Sequence, residues 1–160
     1  MSRRSLESYL KLDRLRCPDC RGALSHGADL LVCAECGTPY EVVDGNPVLL
    51  PPDTRRSETK GTIQRFWGEL YQAAYAGHPE EHEPAAFLDL LAELERMFSH
   101  RRHLAVTEMP IHDLADKAVL EIGSGAGAHS ALFAERGAEM TSVDITPQRV
   151  LATAAKLDWV

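Results

Sequence analysis

Cys17, Cys20, Cys33 and Cys36 fall within twenty residues, as a C-x2-C, twelve intervening residues and a second C-x2-C. A two-residue gap lets both thiolates of one turn reach the same ion, and a tetrahedral zinc ion needs two such turns held face to face. Pro18 and Gly22 beside the first pair and Gly37 beside the second bring turn chemistry. Two other uses of paired cysteines compete with this one. Disulfides are disfavoured in a reducing cytosol, and no further cysteine suggests a secreted framework. A redox C-x-x-C needs only one motif, placed where a helix opens after a strand. A closed four-thiolate site has no open coordination position, so the pattern predicts structural zinc in a fold too small to hold itself.

The chain has 160 residues, 17 basic and 24 acidic, for a formal charge of −7; 44% of it is apolar and 26% charged. That is the composition of a globular protein rather than a disordered one. Up to Leu50 there are six basic and seven acidic residues, leaving eleven and seventeen beyond it. Neither part has the basic excess of a general nucleic-acid binder. No apolar run approaches the roughly 18–20 residues of a membrane span, and Met1 to Arg4 does not lead into a signal-peptide core. The expectation is a cytoplasmic protein.

Around the cysteines, Leu24, Leu30–Val32, Tyr40–Val43 and Val48–Leu50 are short β-prone runs separated by Gly27, Asp44-Gly45 and Pro47. They predict the hairpins of a zinc ribbon. CPDCRGAL, CAECG and YEVVDGNPVLL together resemble the small zinc-ribbon proteins that act as methyltransferase activators. In that family the ribbon is a free partner or is fused to a methyltransferase. The resemblance covers about a fifth of the chain and implies a protein partner docked through the ribbon.

Pro51 to Ser57 is polar and Pro-bearing, giving an expected organisation of a ribbon over 1–51, a linker over 52–57 and a second domain over 58–160. From about Thr59, the residues Ile63, Phe66, Trp67, Leu70, Tyr71, Ala74 and Tyr75 mark an amphipathic helix ending near Gly77. A second helix is expected from about Pro84 to Thr107, with Phe87, Leu91, Leu94 and Phe98 on one face. Both stripes are read as core packing, with a lid over the following site as the functional counterpart. His78-Pro79-Glu80-Glu81-His82 matches H-x-x-E-H, but Gly77 and Pro79 break the continuous helix a metalloprotease needs, so a solvated loop is expected. Arg101-Arg102-His103 is read as complementing the dipole at the end of the second helix.

Ala118–Ile122 predicts an apolar strand running into Gly123-Ser124-Gly125-Ala126-Gly127, followed by a helix over His129 to Arg136. Bare backbone N–H groups at a helix N-terminus can approach a ligand closely. Glu139–Val143 predicts a second strand, ending at Asp144, where a carboxylate can grip a ribose diol. Glu121 at the mouth of the loop would repel a pyrophosphate, yet it suits S-adenosylmethionine, which carries an ammonium and a sulfonium. A nicotinamide or flavin site and a tight structural turn remain alternatives.

VLEIGSGAG and SVDITPQRV resemble the seven-stranded, class I S-adenosylmethionine-dependent methyltransferases. The resemblance implies an α/β fold: a small β zinc ribbon, two helices, then the first βαβ part of a Rossmann-like sheet. It implies that Gly123, Ser124, Gly125 and Gly127 line the methionine part, Glu121 lies near its amino end, Asp144 takes the ribose hydroxyls and Ile145 lies against adenine. From Ala118 only 43 residues remain, and the sequence stops within a helical run that opens at Pro147-Gln148-Arg149-Val150. The expectation is therefore an inactive N-terminal part of a longer methyltransferase, with the acceptor and the catalytic residues unassigned. The rival class is a non-catalytic zinc-ribbon adaptor.

Overall fold

The computed structural model describes residues 6–11, 13–27, 29–51, 57–100 and 111–160. It divides into two compact units, Ser2–Thr62 and Ile63–Val160. Most of the expected linker, residues 52–56, lies outside the described residues, as does the Arg101-Arg102-His103 cluster.

The first unit opens with a short helix, α1 (Leu6–Lys11), which was not expected from the sequence. Its Leu6 and Leu10 share one face at i, i+4 and pack with Leu15 against the ribbon core. Four antiparallel strands follow in the order β1 (Leu24–His26), β2 (Leu30–Cys33), β3 (Pro39–Val43) and β4 (Asn46–Pro47). The Leu24↔Cys33 and Leu31↔Tyr40 pairings place alternate residues on one face, giving a core of Cys17, Leu24, Leu31, Cys33 and Tyr40. The last strand is not Val48–Leu50 as expected. Asp44 and Gly45 both take left-handed backbone (φ 50° and 75°), the two-residue hairpin turn that sends the chain straight back, so Asn46–Pro47 pairs with Val42–Val43. Pro47, expected as a separator, sits in this edge strand, where its missing N–H costs no ladder bond.

The second unit takes in most of helix α2 (Glu58–Ala74), followed by a 3-10 turn at Pro79–Glu81 and helix α3 (Pro84–His100). The expected continuation of α3 to Thr107 lies outside the described residues. Strand β5 (Ala118–Ile122), helix α4 (Ala128–Glu135), strand β6 (Glu139–Val143) and helix α5 (Pro147–Trp159) complete it. β5 and β6 pair in parallel from Ala118↔Glu139 to Ile122↔Val143. Phe87 and Leu91 of α3 pack with Ile111, Leu114, Ala131, Leu132, Phe133 and Ala138 in one core, and the partly buried Leu94 and Phe98 pack against it. The expected α3 face is thus the packed one. The opposite face of the strand pair is apolar and open, with Leu120 63%, Ile122 81% and Val143 44% exposed.

Helix α2 departs from expectation. Ile63, Phe66, Trp67, Leu70 and Tyr75 are all exposed, and the buried positions are Gly68 and Tyr71. Polar anchoring turns the helix: Gln64 Nε2 donates to the Ile145 carbonyl at 2.9 Å. Gly68 meanwhile lets the backbone approach Thr146 and Gln148, both 3.7 Å from where a Cβ would stand. The Pro79–Glu81 segment is not simply solvated either. The Glu81 side chain is 4% exposed and pairs with Lys156 Nζ, itself 1% exposed, while Tyr71 donates its hydroxyl to Glu81 Oε2 at 2.7 Å. The 3-10 turn places Glu81 inward, so a charged residue in an irregular segment becomes a buried anchor.

Candidate functional site

The four cysteines come from two turns of the same construction. In the first, Cys17 N–H donates to the Gly22 carbonyl at 3.0 Å and Arg21 N–H to the Cys17 carbonyl at 2.8 Å. In the second, Cys33 N–H donates to Thr38 at 3.1 Å and Gly37 N–H to Cys33 at 3.0 Å. Both turns need left-handed backbone at the fifth residue, supplied by Arg21 (φ 64°) and Gly37 (φ 73°). Gly22 is required by closeness: a Cβ there would stand 2.9 Å from Cys33 Sγ.

All four sulfurs lie within 4.8 Å of one another, with Cys17 to Cys36 at 3.7 Å and Cys20 to Cys33 at 3.4 Å. Tetrahedral zinc at about 2.3 Å from each sulfur requires sulfur separations of about 3.8 Å, so the donor set fits the ion. Tyr40, fully buried, links the site to its support: its hydroxyl lies 3.1 Å from Cys17 Sγ and 3.0 Å from Asp19 Oδ2, its single proton shared between the two. Sequence reading missed Tyr40 and Asp19, although both lie within the cysteine motifs and their flanks.

The thiols titrate far apart. Burial pushes Cys17 up, but hydrogen bonds from Tyr40 and from the Cys20 and Asp19 backbone more than offset it and leave Cys17 at about 6. The Gly22 backbone lowers Cys20, yet the neighbouring Cys33 and Cys36 sulfurs hold it up at about 12. Four thiolates in one cluster repel, so a cation is what allows all of them to ionise together.

In the second unit the expected ligand loop joins β5 to α4. Gly123, Gly125 and Gly127 all have positive φ (79°, 57° and 88°). Their reasons differ. A Cβ on Gly127 would stand 2.6 Å from Thr153 Cα, so this glycine packs α5 against the loop, whereas a Cβ on Gly123 would meet nothing within 4 Å. Asp144, at the tip of β6, receives Gly125 N–H on Oδ2 at 3.1 Å and Thr146 N–H on Oδ1 at 2.8 Å. Ser124 is buried and accepts from Thr153 Oγ1 at 3.0 Å. Ile145 offers its carbonyl to Gln64. Glu121 lies on the helix-facing side of the strands, its Oε2 accepting from Ser130 and, at 3.1 Å, from Ser142.

The structure thus brings Gly125 and Asp144 into direct contact and holds Glu121 separately between strands and helix. Sequence reading missed Ser130 and Ser142; Ser142 is the register partner of Glu121 in the parallel strand pair. It also missed Arg149. That guanidinium lies 5.1 Å from the Trp67 ring centroid, with Nη1 3.7 Å from the Cβ position of Gly125. An open groove of about 680 Å³ lies alongside, lined by Gln64, Gly68, Glu69, Gln72, Pro147 and Gln148 among others; the glycine loop is not part of its lining.

None of the described helices is long and apolar enough to cross a membrane. No curated protein matches the chain. Residues 13–42 match the family described as prokaryotic RING finger family 1, the stretch that holds all four cysteines, β1, β2 and all of β3 but Val43. With the clustering of the sulfurs, this makes the N-terminal unit a RING-like, metal-binding zinc ribbon of the prokaryotic type.

Proposed function

We propose that the chain carries the donor-binding part of an S-adenosylmethionine-dependent methyltransferase, preceded by a structural zinc ribbon. The observation that supports this best is the loop of three left-handed glycines at the C-terminal end of β5, met by Asp144 from the tip of the adjacent parallel strand. Ligands of parallel α/β units bind outside the carboxyl ends of the strands, where helix N-termini and bare backbone face them. In this reading Gly123, Ser124, Gly125 and Gly127 form the cradle, Asp144 takes the ribose hydroxyls, Ile145 flanks the base and Glu121 takes the ammonium. The cofactor supplies an electrophilic sulfonium methyl to an acceptor nucleophile. The chain's own part is to hold the donor in line, a matter of geometry more than of acid–base chemistry. Zinc, held by Cys17, Cys20, Cys33 and Cys36, is structural.

Isothermal titration of the intact protein with S-adenosylhomocysteine tests the reading. Binding that Asp144→Ala abolishes is expected; binding of NAD instead, or of neither, refutes it. A second reading is a non-catalytic adaptor whose ribbon engages a partner protein. It is favoured by the occupied state of Asp144, both of whose oxygens already accept backbone N–H groups. Capture of a defined methyltransferase by the ribbon, with no nucleoside bound, would select it.

A further inference from the structure

We propose that Ser130 and Ser142 are positioning residues that fix the Glu121 carboxylate for the ammonium group of the methyl donor. This rests on the donor-binding reading above and names the groups that set one of its contacts. Glu121 and Ser142 are register partners on β5 and β6, and Ser130 stands in the first turn of α4, so three elements converge on one carboxylate. Ser130 is fully buried and donates to Glu121 Oε2. The Ser142 hydroxyl, 3.1 Å from the same oxygen and 3.0 Å from Ser130 Oγ, shares its single proton between them.

All the hydrogen bonds to Glu121 thus fall on one oxygen, and Oε1 accepts none among the described residues. Glu121 is half-buried, and its carboxylate is held from the Oε2 side by the two hydroxyls. A fixed, half-buried carboxylate is a cation acceptor, and its strongest partner is a charged N–H donor. The donor's ammonium is such a group, whereas a phosphate would be repelled there. Two hydroxyls acting through a carboxylate are an outer-shell arrangement, which sets orientation in advance and so reduces what ordering costs on binding.

The test is a cycle between side chain and ligand, run by titration calorimetry on the intact protein. S-Adenosylhomocysteine is compared with its desamino analogue, against wild type, Ser130→Ala, Ser142→Ala and Ser142→Thr. Wild type is expected to favour the amino-bearing ligand by about tenfold or more, and each alanine variant to lose most of that preference. Affinity for the desamino ligand should stay unchanged, and Ser142→Thr, which keeps the hydroxyl, should restore discrimination. Unchanged tryptophan emission certifies folding; should Ser130→Ala fail it, the partly exposed Ser142 carries the test alone. If the alanine variants weaken both ligands equally, or neither, the positioning role is refuted while donor binding stands. If wild type binds neither nucleoside, the donor-binding reading falls and the proposal with it.

Discussion

Gly127→Ala and Gly123→Ala have the same chemistry and nearly the same backbone angle, but they meet different surroundings. Both glycines are left-handed, at φ 88° and 79°. Forcing an L-residue into that region costs about 1–2 kcal/mol, and the smaller entropy of the unfolded chain returns about 0.4–1 kcal/mol of it. Gly123→Ala should therefore destabilise by about 1 kcal/mol, because its Cβ enters open space. At Gly127 the new Cβ would stand 2.6 Å from Thr153 Cα and 3.1 Å from Thr153 Cβ. The nearest obstacle is backbone, so α5 has to shift, and overpacking of this kind adds about 1–3 kcal/mol. The total for Gly127→Ala is then about 2–4 kcal/mol. Both tryptophans of the chain, Trp67 and Trp159, belong to the Ile63–Val160 unit, so urea unfolding followed by their fluorescence reports on the unit that carries the loop. With a slope of about 1–2 kcal/mol per M, the difference of about 1–3 kcal/mol should separate the two midpoints by about 0.5–3 M. Equal midpoints would refute the claim that Gly127 packs the loop against α5.

Three further outcomes are expected. Zinc should bind one per chain and release protons at pH 7.5, since Cys20, held at about 12, must give up its proton; the calorimetric enthalpy should therefore vary with the buffer's ionisation enthalpy, and retention should weaken as pH is lowered. Gly22→Ala, whose Cβ would stand 2.9 Å from Cys33 Sγ, should lose zinc to a chromogenic chelator sooner than wild type, whereas Arg21→Gly, at a position already left-handed, should not. Lys156→Met leaves the buried Glu81 charge with the Tyr71 hydroxyl but no cation and should cost about 3–5 kcal/mol in urea unfolding, most of it recovered in the double variant with Glu81→Gln.

The cysteines were legible because their spacing is itself the chemistry: two short turns and one ion explain all four positions. The glycine loop was legible for a related reason, since left-handed backbone excludes most side chains. The roles of its individual glycines were not, because Gly127 answers to Thr153, 26 residues further on. Periodicity placed α2 and α3 and found the packed face of α3. It failed for the face of α2, where Gln64 and Gly68, one polar and one without a side chain, set the orientation that the aromatic stripe suggested otherwise. The Glu81 to Lys156 pair joins residues 75 apart, and neither carries a local mark of burial. The shift of the last ribbon strand to Asn46–Pro47 follows from the tightness of the Asp44-Gly45 turn, which could have been weighted above the apolar run after it.

Cys17 and Cys33 are at once ligands and two of the five buried residues of the ribbon's interior. Metal affinity and folding stability there belong to the same atoms. A chelator would act on this unit as a denaturant acts on an ordinary one, and oxidation of either thiol would remove a wall of the interior together with a bond to the ion. Selection for tighter metal capture and selection for a firmer fold would then favour the same substitutions.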